Sequence, residues 1–207
     1  MYIILGILII SILVLTPFLH SYAIKIGFVD KNILNLSKQK IPIIGGPIIL
    51  IPFLIIIFFT NIDKDYNYLF FSCSILFFVG LIDDYLKLGV AIRLISQFIT
   101  AILLVSNGLI ITNIDLGFFQ IYFNQYSYLF TVLFILTYVN AFNFIDGSDG
   151  VCSSLSIIFF IFFIIYLLNL TNLEINIVFY LLCILFIFTI FNFGLIKNLK
   201  IYLGDSG

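Results

Sequence analysis

Residues 127–150 read SYLFTVLFILTYVNAFNFIDGSDG, a long apolar run that ends in a string of amide and carboxylate side chains. No charged residue interrupts positions 127–145, and a bilayer core needs roughly 20 mostly apolar residues per helix. Because the apolar residues are continuous rather than alternating, this stretch predicts a membrane-spanning helix and not a barrel strand. The class of fold to be expected is therefore helical and membrane-embedded.

The composition of the whole chain has the same character. Its 207 residues are 63% hydrophobic and 9% charged, with a mean hydropathy of +1.29. An ordinary soluble chain is about a quarter charged. A net charge of −1 does not suit a disordered or nucleic-acid-binding protein. Three cysteines without a CxxC pair indicate neither a disulfide framework nor a zinc site.

Seven charge-free stretches are long enough to predict spanning helices. They lie at about 2–24, 41–60, 66–82, 94–111, 127–145, 151–170 and 176–196. The first has no basic segment before it and no small-residue cleavage site, so it predicts a retained helix rather than a signal peptide. We therefore predict an all-α, polytopic integral membrane protein with about seven transmembrane helices in one domain, residues 1–207.

The basic residues indicate the orientation of these helices. Alternate connecting segments hold eight of the nine basic residues: Lys25, Lys31, Lys38, Lys40, Lys87, Arg93, Lys197 and Lys200. The other connections hold only Lys64. Because basic loops stay in the cytoplasm, this pattern predicts an N-terminus outside and a C-terminal segment in the cytoplasm.

Two adjacent carboxylates, Asp83 and Asp84, close the third apolar stretch on the predicted cytoplasmic side. On a helix, neighbouring side chains point about 100° apart, so the two are poorly placed to hold one ion together. A division of labour suits them better, in which one meets a divalent cation and the other takes a proton or orients a phosphate. The alternative is a carboxyl pair that only marks the water interface.

Four oxygen-bearing side chains recur at every third position of the string that ends the fifth stretch: Asn140, Asn143, Asp146 and Asp149. Consecutive members of such a series share a helix face, and oxygen ligands suit Mg²⁺. Gly147 and Gly150 permit a helix break and a close backbone approach to a ligand. The alternative is a cap rich in Asn and Asp that ends one helix and starts the next.

Weaker motifs lie on the same predicted face. The turn Gly204-Asp205-Ser206-Gly207 can offer a carboxylate to a metal and N–H groups to a phosphate, or be an ordinary turn. The first inner loop, 27–46, holds Asp30, lysines and the string PIIGG, and its lysines either set the topology or attract phosphate. Arg93 and Gln97 are placed to reach a lipid phosphate, although snorkelling explains Arg93 equally well.

Together these motifs resemble the polyprenyl-phosphate N-acetylhexosamine-1-phosphate transferase family. Its members include the phospho-N-acetylmuramoyl-pentapeptide and undecaprenyl-phosphate N-acetylglucosamine-1-phosphate transferases. The resemblance rests on residues 27–31, 42–46, 83–84, 93 with 97, 140–150 and 204–207. It departs from the family at 35–40, where a characteristic His is missing, and at Gly207, where the family continues through further helices. The chain is thus similar to the N-terminal two-thirds of a member.

The resemblance implies transfer of an N-acetylhexosamine-1-phosphate from a UDP-sugar to a polyprenyl phosphate, with release of UMP. This step begins the synthesis of O-antigen, teichoic acid or peptidoglycan, at the cytoplasmic face of the bacterial inner membrane. The implied metal is Mg²⁺ or Mn²⁺, a homodimer is compatible with the family, and nucleic acid has no role. Whether a carboxylate acts as a covalent nucleophile is left open.

The same resemblance implies a role for each motif residue. The implied metal ligands are Asn143 and Asp205. The implied catalytic residues are Asp83, Asp84, Asp146 and Asp149, and the implied substrate-binding residues are Asn140, Asp146, Asp149, Arg93 and Lys87.

Two other interpretations of the chain are open. A transporter would use its carboxylates to carry protons or cations, and would place polar groups near the bilayer midplane. An inactive fragment of the transferase would keep the motifs without turnover.

Overall fold

The computed structural model describes residues 2–30, 40–59, 67–146, 150–168 and 174–207, and most of them are helical. Within these ranges the helices are α1 Tyr2–Ile26, α2 Gly45–Phe59, α3 Asn67–Leu86, α4 Val90–Ser106, α5 Ser127–Ile145, α6 Val151–Leu167 and α7 Glu174–Asn192. Each overlaps one of the seven apolar stretches of the sequence. The expectation of a mainly helical chain is confirmed.

Four helical segments of the described chain are long and apolar enough to cross a bilayer: Ile3–Ile26, Tyr68–Leu86, Asn124–Ile145 and Ile175–Asn192. The other apolar helical segments are shorter, at Gly45–Ile55, Val90–Ser106 and Val151–Leu167. A helix of 17 residues such as α4 rises about 25 Å, slightly less than a hydrocarbon core of about 30 Å. The protein is a membrane protein, whereas the count of seven spans and their orientation stay predictions.

Glycines, rather than the limits of the apolar runs, set several helix ends. At the end of α7 the N–H of Gly194 donates to the carbonyl of Phe191, and the N–H of Leu195 donates to the carbonyl of Ile190. Gly194 has a φ of +70°, which suits the glycine that closes a helix in this hydrogen-bonding pattern. The helix therefore ends at Asn192, before the apolar run that extends to Ile196.

The described residues form two compact units, and the first contains residues 1–62 and 145–207. In this unit α7 packs against α6, α2 and α1, and α1 packs against α2. The interior of this packing contains Ile12, Ile48, Ile184 and Phe188, none of which is exposed. Because lipid is as apolar as these side chains, close packing rather than escape from water holds the helices together.

The second unit contains residues 63–144, in which α3 packs against α4. It also holds an antiparallel hairpin of β1, Asn113–Asp115, and β2, Gln120–Tyr122, with Asn113 opposite Tyr122. The hairpin is an exception to the all-α expectation, because a strand of three residues is too short to give an alternating pattern. Its loop contains Gly117 at a φ of +81°, where glycine avoids the strain of a side chain.

The carboxylate of Asp115 is held inside this hairpin. It accepts hydrogen bonds from the Gly117 N–H at 2.8 Å and from Gln120 Nε2 at 2.7 Å. These two donors, the Gly117 N–H first, lower the pKa of Asp115 below its usual value. The one carboxylate of the hairpin is therefore hydrogen-bonded by donors of the hairpin itself.

Candidate active site

The two adjacent carboxylates lie in the last turn of α3, and both are buried. Asp83 is 2% exposed and Asp84 is 8% exposed, so neither carboxylate is an exposed surface group. A buried carboxylate is costly unless an opposite charge accompanies it. Arg93, in the first turn of α4, supplies that charge, with its Nη1 at 3.4 Å from Asp83 Oδ2. The side chain of Arg93 is thus directed to Asp83.

Lys87 directly follows α3 with a backbone conformation that favours glycine. Its φ is +56°, and a left-handed conformation costs an L-residue roughly 1–2 kcal/mol. Its N–H still donates to the carbonyl of Asp83 at 2.8 Å, which completes the last turn of the helix. The side chain is exposed just beyond the carboxyl pair.

Gln97 and Asn140 form a pair of facing amides that ties α4 to α5. Asn140 Nδ2 donates to Gln97 Oε1 at 2.7 Å and to the carbonyl of Leu136 at 2.8 Å. In return, Gln97 Nε2 approaches Asn140 Oδ1 at 3.5 Å. Both the amide nitrogen and the amide oxygen of Asn140 therefore have protein partners, and its contact with substrate stays a prediction.

The rest of the string 140–150 is divided by the end of α5. Asn143 is exposed in the last helical turn, one turn beyond Asn140, as the spacing predicts. The helix ends at Ile145, and Asp146 lies in the turn that directly follows it, so its place on the shared face stays a prediction. Asp149 lies outside the described residues. Gly150, at a φ of +74°, starts α6, which confirms the predicted break.

Three motifs of the sequence form one backbone cluster in the first unit. Val29 pairs with Pro42, and Ile43 pairs with Tyr202. The Tyr202 N–H donates to the carbonyl of Pro42, and the Gly45 N–H donates to the carbonyl of Tyr202, both at 2.9 Å. The loop that carries Asp30, the string PIIGG and the turn that carries Asp205 are thus hydrogen-bonded together.

The two glycines of PIIGG allow this close approach. A Cβ added to Gly45 would lie 2.5 Å from Leu203 Cα, and one added to Gly46 would lie 2.7 Å from the carbonyl carbon of Ser206. Real Cβ atoms do not come so near to backbone atoms. The string PIIGG therefore lets the turn around Asp205 sit against the start of α2.

Sequence reasoning missed Asn192, the residue that joins this cluster to the end of the string 140–150. Asn192 is 5% exposed in the last turn of α7. Its Oδ1 accepts a hydrogen bond from the Gly150 N–H at 2.6 Å, and its Nδ2 donates to the carbonyl of Ile201 at 2.8 Å. The available signal was an Asn within an apolar helix, which marks a functional position by default.

Replacing Asn192 with leucine is expected to lower the thermal stability of the detergent-solubilised protein. The change leaves the Gly150 N–H and the Ile201 carbonyl without this partner, at about 1–3 kcal/mol for each buried group. Asn107→Leu removes one exposed hydrogen bond to Leu103 and serves as the control. Equal melting temperatures for Asn192→Leu and the control would contradict the bridge.

A family model described as glycosyl transferase family 4 matches residues 66–207, which is more than half of the chain. The chain belongs to glycosyl transferase family 4. Both units described above contribute to this match, since it includes α3, α4 and α5 as well as α6, α7 and the turn around Asp205.

Curated relatives of this family 4 chain carry closely similar names. An undecaprenyl-phosphate alpha-N-acetylglucosaminyl 1-phosphate transferase of Yersinia pestis is 28% identical over 89% of the chain and 53% of the relative. The protein of the same name from Escherichia coli O157:H7 is 26% identical over 92% of the chain and 54% of the relative. A probable undecaprenyl-phosphate N-acetylglucosaminyl 1-phosphate transferase of Bacillus subtilis is 31% identical over 71% of the chain and 42% of the relative. The chain spans about half the length of these relatives.

The side chains of this family 4 chain have the right chemistry for Mg²⁺, since they supply carboxylate and amide oxygens. Among the residues that the structure describes, no three His, Cys, Asp or Glu side chains lie close enough to hold an ion. A ligand set built from this chain would therefore include amide oxygens or residues beyond those described, such as Asp149.

Proposed function

We propose that the chain transfers an N-acetylhexosamine-1-phosphate from a UDP-sugar to a polyprenyl phosphate, with release of UMP. The observation that carries this proposal is the buried pair Asp83 and Asp84, with Arg93 at 3.4 Å, at the end of an apolar helix. Ionisable groups in such a position usually mark a functional site. The names of the relatives support N-acetylglucosamine as the sugar and undecaprenyl phosphate as the lipid.

The proposed reaction is a displacement at phosphorus. An oxygen of the lipid phosphate attacks the sugar-bearing phosphorus of the UDP-sugar, and the bond from that phosphorus to the UMP oxygen breaks. A lipid-linked pyrophosphate sugar forms, and UMP leaves with the electron pair. If the lipid phosphate enters as a monoanion, its proton passes to Asp83 or Asp84. General-base assistance of this kind contributes about 100- to 10,000-fold to a rate.

The other motif residues have proposed roles in the same reaction. Asn143 and Asp205 are each proposed to bind Mg²⁺, which would neutralise the pyrophosphate charge when bound. We assign nucleotide or metal contacts to Asp146 and Asp149. Lys87 and Asn140 are proposed to bind substrate, and Arg93 to orient Asp83.

The proposed site faces the cytoplasm at the bacterial inner membrane. The basic residues and these motifs share the same alternate connecting segments, and basic segments stay in the cytoplasm. This is where a UDP-sugar is available. A transporter would place its carboxylates near the middle of a spanning helix, whereas Asp83 and Asp84 lie at the end of α3. The structure therefore does not favour the transporter interpretation.

The test is release of UMP from UDP-N-acetylglucosamine by membranes that contain this chain. The assay includes undecaprenyl phosphate, with and without Mg²⁺. We expect release that requires both the lipid and the metal. No release, from this chain and from a C-terminally extended version alike, would contradict the proposal for this sugar.

Asp205→Asn is expected to abolish this release, or to raise the Mg²⁺ concentration needed for it, while membrane insertion stays intact. The substitution removes the charge of a proposed metal ligand without changing its size. The matched control is Asp115→Asn in the hairpin, where the carboxylate accepts hydrogen bonds from Gly117 and Gln120 of the same hairpin. An unchanged Mg²⁺ dependence in Asp205→Asn would remove Asp205 from the metal site.

A further inference from the structure

The hairpin of β1 and β2 exposes a group of apolar and aromatic side chains. This hairpin patch consists of Leu116, Phe118, Phe119, Ile121 and Tyr122, and Phe118 is 84% exposed. All three residues of β2 are exposed, so both faces of the strand lack cover. An exposed apolar patch of this kind marks a contact surface.

This hairpin is unfavourable both when it is fully surrounded by water and when it is fully buried in the hydrocarbon core. An isolated two-stranded hairpin is marginally stable at best in water, and here its large side chains would be hydrated as well. In the hydrocarbon core, the outer edges of β1 and β2 would leave backbone groups without hydrogen-bond partners. The boundary between headgroups and acyl chains satisfies both needs, because side chains enter the lipid while the strand edges contact water and headgroups.

The position of the hairpin in its unit agrees with this boundary. The hairpin lies between the end of α4, at Ser106, and the candidate span Asn124–Ile145. It is joined to α5 by Phe123, whose ring stacks on Phe130 with a centroid distance of 3.7 Å. The hairpin is therefore continuous with a helix that is long and apolar enough to cross a bilayer.

The residue types also agree. Tyr126 and Tyr128 are exposed where α5 begins, and aromatic side chains are enriched at the two membrane interfaces. The chain has no Trp, so Phe and Tyr must take this role. The one charged residue in 113–122 is Asp115, and its carboxylate is bound by the hairpin's own donors.

We propose that the hairpin patch inserts into the phospholipid headgroup boundary of the leaflet opposite to the one at the Asp83–Asp84 end of the second unit. Arg93 lies at the other end of α4, a helix about 25 Å long. The patch fixes the depth of α4 and α5 in the bilayer, and with it the depth of Gln97, Asn140 and Asn143. This proposal does not depend on the transferase reaction.

The absence of Trp allows a direct measurement. Phe118→Trp gives a protein with a single Trp, which is reconstituted at a low protein-to-lipid ratio into vesicles of phosphatidylcholine and phosphatidylglycerol. Its emission is compared in lipids brominated near the headgroup and in lipids brominated deep in the acyl chain. Phe134→Trp, at an exposed position in the middle of α5, is the matched reference for the hydrocarbon core. N-acetyl-tryptophanamide is the reference for water.

We expect the emission maximum of Phe118→Trp to lie at a shorter wavelength than that of N-acetyl-tryptophanamide in water. Its emission intensity should be quenched more by lipids brominated near the headgroup than by lipids brominated deep in the acyl chain. Phe134→Trp should show the reverse preference. Aqueous emission with no loss in either lipid would overturn the proposal and indicate a hairpin that faces water or a partner protein. Stronger loss with deep bromines would overturn it as well. Tyr122→Trp, on β2, gives a second reading if Phe118→Trp fails to fold.

Discussion

Asp83→Asn is expected to reduce UMP release by about 100-fold or more, the usual contribution of a general base. Asparagine has nearly the same size as aspartate, so packing at the end of α3 should be preserved. Arg93 loses the ionic contact with Asp83, but its side chain is 32% exposed and can be hydrated. We therefore expect a large loss of turnover with a small loss of thermal stability.

Two comparisons separate chemistry from packing at Asp83. Asp115→Asn makes the same chemical change at the opposite end of α4 and α5, and should leave turnover within about twofold of the unmodified chain, as surface substitutions rarely have large effects. Arg93→Gln should shift the pH profile of the reaction if it acts through Asp83. Unchanged turnover in Asp83→Asn would remove this carboxylate from the mechanism.

Gly46→Ala is expected to lower both stability and activity. The added Cβ meets the carbonyl carbon of Ser206 at 2.7 Å, so the turn that carries Asp205 must move. Overpacking of this kind costs about 1–3 kcal/mol, and a displacement of about 1 Å at a reacting group can cost about 100-fold in rate. The measurements are the melting temperature and the rate of UMP release.

The matched control for this prediction is Gly6→Ala, because a Cβ at Gly6 meets nothing within 4 Å. Within α1 that change should stabilise the helix by about 1 kcal/mol. Combining Gly46→Ala with Ser206→Gly should not restore activity, because backbone atoms of Ser206 also obstruct the new methyl group. Full recovery in the double variant would show that only the Ser206 side chain matters.

Hydropathy alone predicted the helices well where a polar or charged residue ends the run. The prediction for α5, 127–145, matches its bounds of Ser127–Ile145. It was less accurate for α4, which begins at Val90 rather than near 94 because the helix accommodates Arg93 beside Asp83. A charge that has a partner within the protein does not end a helix, and the partner is not visible in the sequence.

The motifs were predicted individually, whereas the links between them were not. Nothing local predicts that the PIIGG string hydrogen-bonds to the Tyr202 segment, because more than 150 residues separate them in sequence. The sequence marks Asn192 as a polar residue in an apolar helix, but it does not show that its partners are backbone groups of Gly150 and Ile201. Sequence patterns report residue types and periodicity, while these contacts depend on how distant segments pack.

The discontinuity of the first unit has a consequence for biosynthesis. Its two parts, 1–62 and 145–207, are separated by the whole second unit. At about 5–20 residues per second, a ribosome needs about 4–16 s to synthesise the segment between them. During that time α1 and α2 lack their contacts with α7, and the N–H groups of Gly45 and Gly46 lack the carbonyls of Tyr202 and Leu203. The faces of α1 and α2 that pack against α7 therefore stay uncovered until α7 has been synthesised.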